Sequence, residues 1–391
     1  MMVKLKSVIT EYSVRNKNDD DIPVYSVTNE QGFCTGYFGK DVSSKDRTTY
    51  KIVPYGCFAY NPSRINVGSV DWQHCEDKVI VSPLYVVFEV AECLDQRYLL
   101  HYLKSDIALT LIKANASGSV RDNLKLSVLQ EFPINLRSIE EQRKIADNLD
   151  RVDHLIGLYN HEITVLDNLV KSRFIECFGD MYLNSKGWPE ANLESMADVV
   201  SGITKGRKTK NEDLTEVPYM AVSNVKDGYI DWTTVKTIEA TQQEIEQYRL
   251  LPDDVLMTEG GDPDKVGRGA IIKAPLKNCI HQNHIFRVRL DESVLLPEFF
   301  AEYLQHQRAK RYFLGCAKQT TGIASINMKQ LRTLPVLVPP MAEQTAFVSF
   351  KAETDKSKFV EEMCFGLLFL WMKKSPAIVK NTLRIKKSML H

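Results

Sequence analysis

Leu129-Gln130-Glu131-Phe132-Pro133-Ile134 and Leu331-Arg332-Thr333-Leu334-Pro335-Val336 are two versions of one phrase, 202 positions apart in a chain of 391 residues. Behind each, at the same distance, stands a Glu-Gln pair: Glu141-Gln142 and Glu343-Gln344. Upstream, Arg97-Tyr98-Leu99-Leu100-His101-Tyr102-Leu103 answers Glu298-Phe299-Phe300-Ala301-Glu302-Tyr303-Leu304. Further up, Val67-Gly68-Ser69 answers Val266-Gly267-Arg268. The offset drifts by only a few residues between matches. A unit this long is no solenoid repeat. It is a duplicated module, so the chain is expected to have pseudo-twofold symmetry and to handle a partner that comes in two halves.

The first module, residues 1–135, has short strand-like runs such as Val79-Ile80-Val81 and Leu84-Tyr85-Val86-Val87-Phe88. Turn-rich pieces such as Asn61-Pro62-Ser63 separate them, and a helical patch lies around 96–113. The second, residues 181–335, is patterned alike, with Asp253-Asp254-Val255-Leu256-Met257, then Gly260-Gly261-Asp262-Pro263-Asp264, then Gly269-Ala270-Ile271-Ile272. Both read as mixed α/β.

Between them lies the clearest periodicity in the chain. Ile145, Leu149, Val152, Ile156, Tyr159, Ile163, Leu166 and Val170 follow one another in alternating steps of four and three. That is a heptad seam, and it predicts a helix over 136–180 that needs a partner. Ser138-Ile139-Glu140-Glu141 supplies a capping box at its start, and Gly179 a stop. Carrying the seam into the second copy gives Phe347, Lys351, Thr354, Lys358, Glu361, Phe365, Leu368 and Met372. Four consecutive polar positions interrupt it. A degenerate second helix over 336–362 and a divergent tail over 363–391 are therefore expected, with an apolar stretch and a basic end. The fold class is α/β: two mixed α/β domains separated by long coiled-coil spacer helices, in a pseudo-twofold repeat.

Composition sets the remaining bounds. Fifty basic and fifty acidic side chains give a net charge of zero, so a phosphate-binding surface has to be segregated locally. The eight cysteines include no C-x-x-C pair, and Met1 to Lys6 lacks the apolar stretch of a signal peptide. Reduced thiols in a cytoplasm are the expectation. The apolar run from Met363 to Met372 is too short to span a bilayer.

Taken together, these features resemble the DNA-specificity subunit of type I restriction–modification systems. The resemblance rests on Phe132-Pro133-Ile134 followed by Glu140-Glu141-Gln142-Arg143-Lys144-Ile145-Ala146, on the heptad helix, and on its ending from Leu166 to Asp180. The second copy adds Leu334-Pro335-Val336-Leu337-Val338-Pro339-Pro340-Met341-Ala342-Glu343-Gln344. Within the modules, Tyr60 to Ser69 and Gly261 to Ala270 carry it, and it extends over residues 1–358. The resemblance implies a non-catalytic subunit whose modules are two target-recognition domains, each reading half of a bipartite site on double-stranded DNA. It implies that the spacer helices pack antiparallel, set the distance between the halves and dock two modification subunits. S-adenosylmethionine, and the ATP and Mg of a restriction subunit, would belong to those partners; this chain would carry no cofactor or metal.

Conditional on that resemblance, certain residues stand out as DNA contacts. Lys205-Gly206-Arg207-Lys208-Thr209-Lys210 is the densest basic cluster in either module, a glycine-bearing loop suited to phosphates. Solvated loop is the plain alternative. Arg268 stands between Gly267 and Gly269, where its fork can reach a guanine edge, with Lys265 nearby. An exposed hairpin arginine is the alternative. The first module has Ser69 at that place, and Asn61, Arg64 and Asn66 are its better readers, flanked by Tyr60. Gln319-Thr320-Thr321-Gly322 and Ser117-Gly118-Ser119 are candidate polar loops facing DNA, or plain connections.

Several other motifs are decoys. Tyr60-Asn61-Pro62-Ser63 lacks the second proline and the aromatic of an adenine-methyltransferase motif. Cys279-Ile280-His281-Gln282-Asn283-His284 looks faintly metal-like but lacks a second ligand pair. His154 and His161 fall on the outer side of the heptad helix. Pro252-Asp253 with Glu259 lacks the E-x-K of a common nuclease pattern, and no Walker-type loop occurs. The rival readings are a self-contained DNA adenine methyltransferase or nuclease, which would transfer methyl groups or cut alone, and a structural coiled-coil adaptor, which would not bind DNA.

Overall fold

The computed structural model describes residues 1–35, 47–115, 123–207, 213–262, 266–320 and 322–373. The chain divides into two compact units: Met1–His161 with the segment from Glu361 on, and Glu162–Val360.

In the first unit the opening strand Met2–Lys4 pairs antiparallel with Pro133–Asn135, the end of the repeated phrase. A four-stranded sheet follows, in the order Ile9–Glu11, Val86–Val90, Phe58–Tyr60, Val70–Trp72. Helices Gln96–Leu103 and Asp106–Asn115 lie beside it. Phe58, Tyr60, Phe88, Leu99 and Ile112 form the buried core between them. Two two-stranded sheets are added to this frame: the hairpin of Ser26–Thr28 with Gly32–Cys34, and Lys51–Pro54 with Lys78–Val81.

The second unit builds the same frame from other residues. Strand Glu190–Asn192 pairs with Pro335–Leu337, the second copy of the phrase. Its four-stranded sheet runs Ala197–Ser201, Ile285–Leu290, Val255–Thr258, Gly269–Ile271, with helices Pro297–Gln305 and Gln307–Cys316 alongside. Its additions differ: a three-stranded sheet of Lys236–Ala240, Thr215–Met220 and Ile280–His281, and another of Gly260–Gly261, Ile323–Ser325 and Lys318–Thr320.

The Glu-Gln pair has a clear physical reason. Gln142 and Gln344 are both fully buried. The Gln142 amide accepts from Asp95 N (2.9 Å) and donates to the carbonyls of Cys93 (2.8 Å) and Arg137 (2.9 Å). Gln344 accepts from Leu296 N (2.9 Å) and donates to Val294 (3.1 Å) and Pro339 (2.8 Å). One side chain thereby clamps each module's helix start to the next long helix and satisfies backbone groups that burial would otherwise strand. The tyrosines repeat too: Tyr102 donates to Pro133 O (2.6 Å), Tyr303 to Pro335 O (2.8 Å).

The first long helix runs Ile139–Phe178, 40 residues, roughly 60 Å at 1.5 Å per residue. The capping box forms: Glu141 N donates to Ser138 Oγ, and Ser138 N to the Glu141 carboxylate, both at 3.3 Å. Gly179 closes the helix at φ +74°, and Lys186 donates to the freed carbonyls of Glu176 (3.1 Å) and Cys177 (2.7 Å). Along the seam, Leu149 and Val170 are buried, and Ile145, Val152, Ile156, Tyr159, Ile163 and Leu166 are half-buried. His154 and His161 are exposed.

The second long helix differs from the expectation of an early end at 362. It starts at Met341, after the strand, and continues to Lys373. Among the described side chains, three of its four polar seam positions find partners. Lys351 pairs with Glu302 at 3.1 Å, and buried Thr354 donates to Phe350 O at 3.0 Å. Lys358 reaches Asp167 at 2.6 Å and Asp355 at 3.4 Å. Phe347 is fully buried against Phe174 and Phe178, and Arg173 lies over the Phe350 ring. As one helix rises from 167 to 178, its partner falls from 358 to 347, so within this unit the two run antiparallel. No helix among the described residues is long and apolar enough to cross a membrane.

Candidate nucleic-acid interface

In the first module the predicted readers come together. Asn61, Arg64, Asn66 and Ser69 line a depression of about 640 Å³. Its opposite wall is the hairpin Ser26–Cys34, with Leu84 and Tyr85 at the rim. The hairpin is not legible as a wall in the sequence, because two strands of three residues carry too little alternation to be seen. Asn61 Oδ1 accepts from Ser63 N (3.1 Å) and Ser63 Oγ (2.9 Å), an Asx turn that fixes the loop and leaves the amide NH2 for other work. Arg64 is exposed, Asn66 half-buried, and Ser69 only 4% exposed, so Ser69 shapes the floor rather than reaching outward.

Tyr60, expected to flank these readers, does not. It is fully buried, its hydroxyl donates to Leu124 O at 3.1 Å, and burial pushes its phenol well above the usual range. The methyltransferase-like Tyr60-Asn61-Pro62-Ser63 is thus a core aromatic followed by a turn.

The second module gathers a different set at the matching place. Asn61 N donates to Ser69 O (3.3 Å), and Thr258 N to Arg268 O (3.1 Å), so Ser69 and Arg268 occupy one position in two copies. Arg268 is half-buried, and its Nε is enclosed without a hydrogen-bond partner. Glu259 meets His284 Nδ1 at 2.5 Å, and Gly260 and Gly261 pair with Ser325 and Ala324. Gln319 and Thr320 belong to the outer strand of that small sheet, opposite Ala324 and Ile323, rather than to a loop. The glycines around Arg268 serve packing. Gly267 holds φ +72°, and a Cβ there would stand 2.1 Å from the Phe313 ring; one at Gly269 would stand 2.9 Å from Leu256 O.

The basic loop begins at Gly202, where a Cβ would meet His281 O at 2.0 Å, and Ser201 Oγ donates to Asn283 O at 2.6 Å. Lys205 is exposed. Arg207 is not free: its guanidinium forks onto both oxygens of Glu244 and donates to Glu239 O at 3.1 Å. The guanidinium holds the Glu244 carboxyl below the usual carboxylate range, with Thr241 adding a backbone bond. Glu244 is also the return residue of a capping box on the helix Gln242–Tyr248, so Arg207 ties the loop to that helix. Lys208, Lys210, Lys265 and Ser117-Gly118-Ser119 lie outside the described residues.

The metal-like Cys279 to His284 run resolves into structure. His281 is fully buried with both ring nitrogens facing carbonyls, Tyr248 O (3.1 Å) and Val200 O (3.4 Å), and burial lowers its pKa to about 4. Burial pushes the Cys279 thiol up to about 12. Among the described residues no group of three or more His, Cys, Asp or Glu side chains is placed to hold a metal ion.

Two copies of one frame, each carrying its own polar surface, is what a family of paired recognition domains would show. The family model for the type I restriction modification DNA specificity domain matches residues 4–168 and 185–357. The chain belongs to this family. The first match takes in one module and most of the long helix that follows it, the second one module and about half of its helix. Among its relatives, the type I restriction enzyme EcoKI specificity subunit of Escherichia coli K12 is 23% identical over 301 residues, 73% of this chain and 64% of that protein. The StySPI specificity subunit of Salmonella potsdam is 24% identical over 266 residues, 64% of this chain and 56% of that protein. The chain therefore spans less than two thirds of the length of either. The fold is shared with the type I restriction-modification S subunit of M. genitalium, at TM-score 0.54 and 14% identity, covering 98% of this chain and 95% of that one. A chain solved in work on complex assembly and conformational transition of the type I R-M system gives TM-score 0.50 at 16% identity, covering 98% and 97%.

Proposed function

We propose that this specificity-family chain is the sequence-reading, catalytically silent subunit of a type I restriction–modification complex. Its two modules, 1–135 and 181–335, each read one half of a bipartite site on double-stranded DNA. The long helices act as a spacer and as the dock for two modification subunits, with restriction subunits completing the assembly in the cytoplasm. Methyl transfer and cleavage, with S-adenosylmethionine, ATP and Mg, belong to those partners.

The observation that carries this reading is the equivalence of Ser69 and Arg268: one frame position, two different side chains, each beside module-specific additions. Duplicated frames suit two half-sites at fixed spacing, and unlike surfaces suit two different sequences. In the first module the groove offers Asn61, Arg64 and Asn66 as base readers; in the second, Arg268 is the reader and Lys205 a phosphate contact. Lys208, Lys210, Lys265, Gln319 and Thr320 remain part of the proposed second surface.

A titration across salt with the chain and a modification subunit tests the reading. Phosphate contacts impose a steep negative slope of log affinity on log salt, and Arg268→Ala weakens binding to the cognate duplex more than to a scrambled one. Equal losses on both duplexes remove Arg268 from base reading. The absence of any salt-dependent binding removes the function. Methyl transfer by the chain alone would favour the enzyme reading instead.

A further inference from the structure

Resting on the DNA-reading function proposed above, we infer that Glu30 determines specificity in the first module, accepting a hydrogen bond from the N4 amine of a cytosine. Glu30 sits in the turn of the hairpin Ser26–Cys34, on the groove wall facing Arg64 and Asn66. It is exposed, and no ion pair engages it among the described residues, so its carboxylate is available. Surfaces that approach phosphates repel carboxylates, and a carboxylate is tolerated there when it meets a donor.

The turn is fixed from several sides. Buried Thr28 accepts from Gln31 N through its hydroxyl at 3.1 Å. Gly32, at φ +61°, lies so close to Asp71 that a Cβ there would stand 1.8 Å from its Oδ2. The same oxygen accepts from Phe33 N at 3.2 Å. Lys104 Nζ donates to Asn29 O at 3.5 Å, and the Asn29 amide fills the space above Gly68. Glu30 is thus presented on a rigid support, as precise readout requires.

The chemistry narrows the partner. In the major groove the base-edge donors are cytosine N4 and adenine N6. Adenine N6 lies beside the N7 acceptor, which repels the second carboxylate oxygen; cytosine N4 lies beside C5–H, which does not. Guanine and thymine present acceptors there. Exposed Arg64, in the same groove, has the complementary chemistry for guanine, so the two together suit a G·C pair. The second module has its own turn at the matching place, where Val225 bridges Ile230 and Lys226 N donates to Tyr229 O at 3.0 Å, but it carries other residues than Glu30, and what distinguishes two half-sites has to reside in what the copies do not share.

Selection of duplexes randomised in one half-site, by the full chain at constant salt, tests this. Wild type enriches cytosine at one position by about tenfold or more, the span of a good base contact. Glu30→Gln moves that position toward adenine, whose N6/N7 edge an amide matches, and Glu30→Ala flattens it, with other positions unchanged. If both variants bind every duplex more tightly with all preferences intact, Glu30 is only a repelling charge and the inference is overturned. If wild type selects no sequence at all, the DNA-reading function itself fails. Unchanged thermal midpoints, expected for an exposed turn residue, show that the variants are folded.

Discussion

The two modules share a skeleton and differ in the sense of the ion pairs that tie a helix of each to its long helix. Helix Gln96–Leu103 places Arg97 and His101 against Asp147 and Asp150 of the first long helix, at 2.8 Å for each contact. The matching helix Pro297–Gln305 places Glu302 against Lys351 of the second long helix. The hydrogen-bonded clamp is kept while these pairs are reversed in sense, although Arg143 of the first long helix, 3.6 Å from Asp95, keeps the sense of the second junction. Exchanging Arg97 or His101 with Glu302 across these pairs would set a carboxylate beside Asp147 and Asp150, and a cation beside Lys351. The difference therefore teaches how a duplicated protein keeps its copies apart, while the clamp shows what neither copy can lose.

The glycine shared by both turns is the sharpest place to break this comparison. Gly68 and Gly267 both hold positive φ, but a Cβ meets the movable Asn29 amide in one case and the buried Phe313 ring in the other. Gly267→Ala is expected to destabilise the second module by about 3 kcal/mol or more, from backbone strain plus overpacking. Gly68→Ala costs about 1–2 kcal/mol, since the amide can turn aside. Amide exchange in each module separates the two effects, and equal losses would remove the packing explanation.

Next come the clamps. Gln142→Ala and Gln344→Ala each strand one backbone N–H and two carbonyls in closed surroundings, an expected loss of about 2–3 kcal/mol at either site. Matching losses in denaturant midpoints sharpen the equivalence of the two frames. A loss at one site only would mean that the second junction is held by something else.

Charge reversal has a smaller effect. Glu302→Lys should weaken the second junction by about 1 kcal/mol, and adding Lys351→Glu should restore it. A double variant as weak as the single would show that this rim carries no coupling. The smallest effect is pH-dependent and, in the second module, rests on Glu244. The folded Glu244 carboxyl lies below its ordinary value, so the stability it contributes is present above that value, near 4.5, and is lost as pH falls through the folded pKa. Loop and helix protection around Arg207 and Thr241 should fade together below about pH 4. Among its described residues the first module has no such ion pair in its groove; its hairpin rests instead on Asp71, whose carboxyl burial raises above the ordinary range, so it takes up its proton in the folded state at higher pH than a free carboxyl would.

The frame is legible in the sequence because its signals are local and doubled. The Pro-Ile and Pro-Val phrases are strands, both glutamines of the Glu-Gln pairs are clamps with Glu141 also a cap, and the heptads are a seam buried at Leu149 and Val170 and half-buried between them. What cannot be read there depends on distant partners. Nothing near Arg207 in sequence announces Glu244, and nothing near Lys358 announces Asp167, so the sequence suggests a free cation and a broken seam where ion pairs stand. Gly267 and Gly269 invite a reading of close approach to DNA, yet the nearest obstacle to each is the protein's own interior. Tyr60 belongs to the core for the same reason. Asn61, Arg64 and Asn66 are recoverable because they share one short loop, whereas the hairpin facing them requires the tertiary fold.

A hydroxyl-radical footprint of the chain, assembled with its modification subunits on a cognate duplex, tests the central claim most directly. Two protected stretches separated by an accessible gap are expected, with the Arg268→Ala variant losing protection on one side alone. A single unbroken patch, or loss on both sides together, would contradict an account built on two independent reading surfaces.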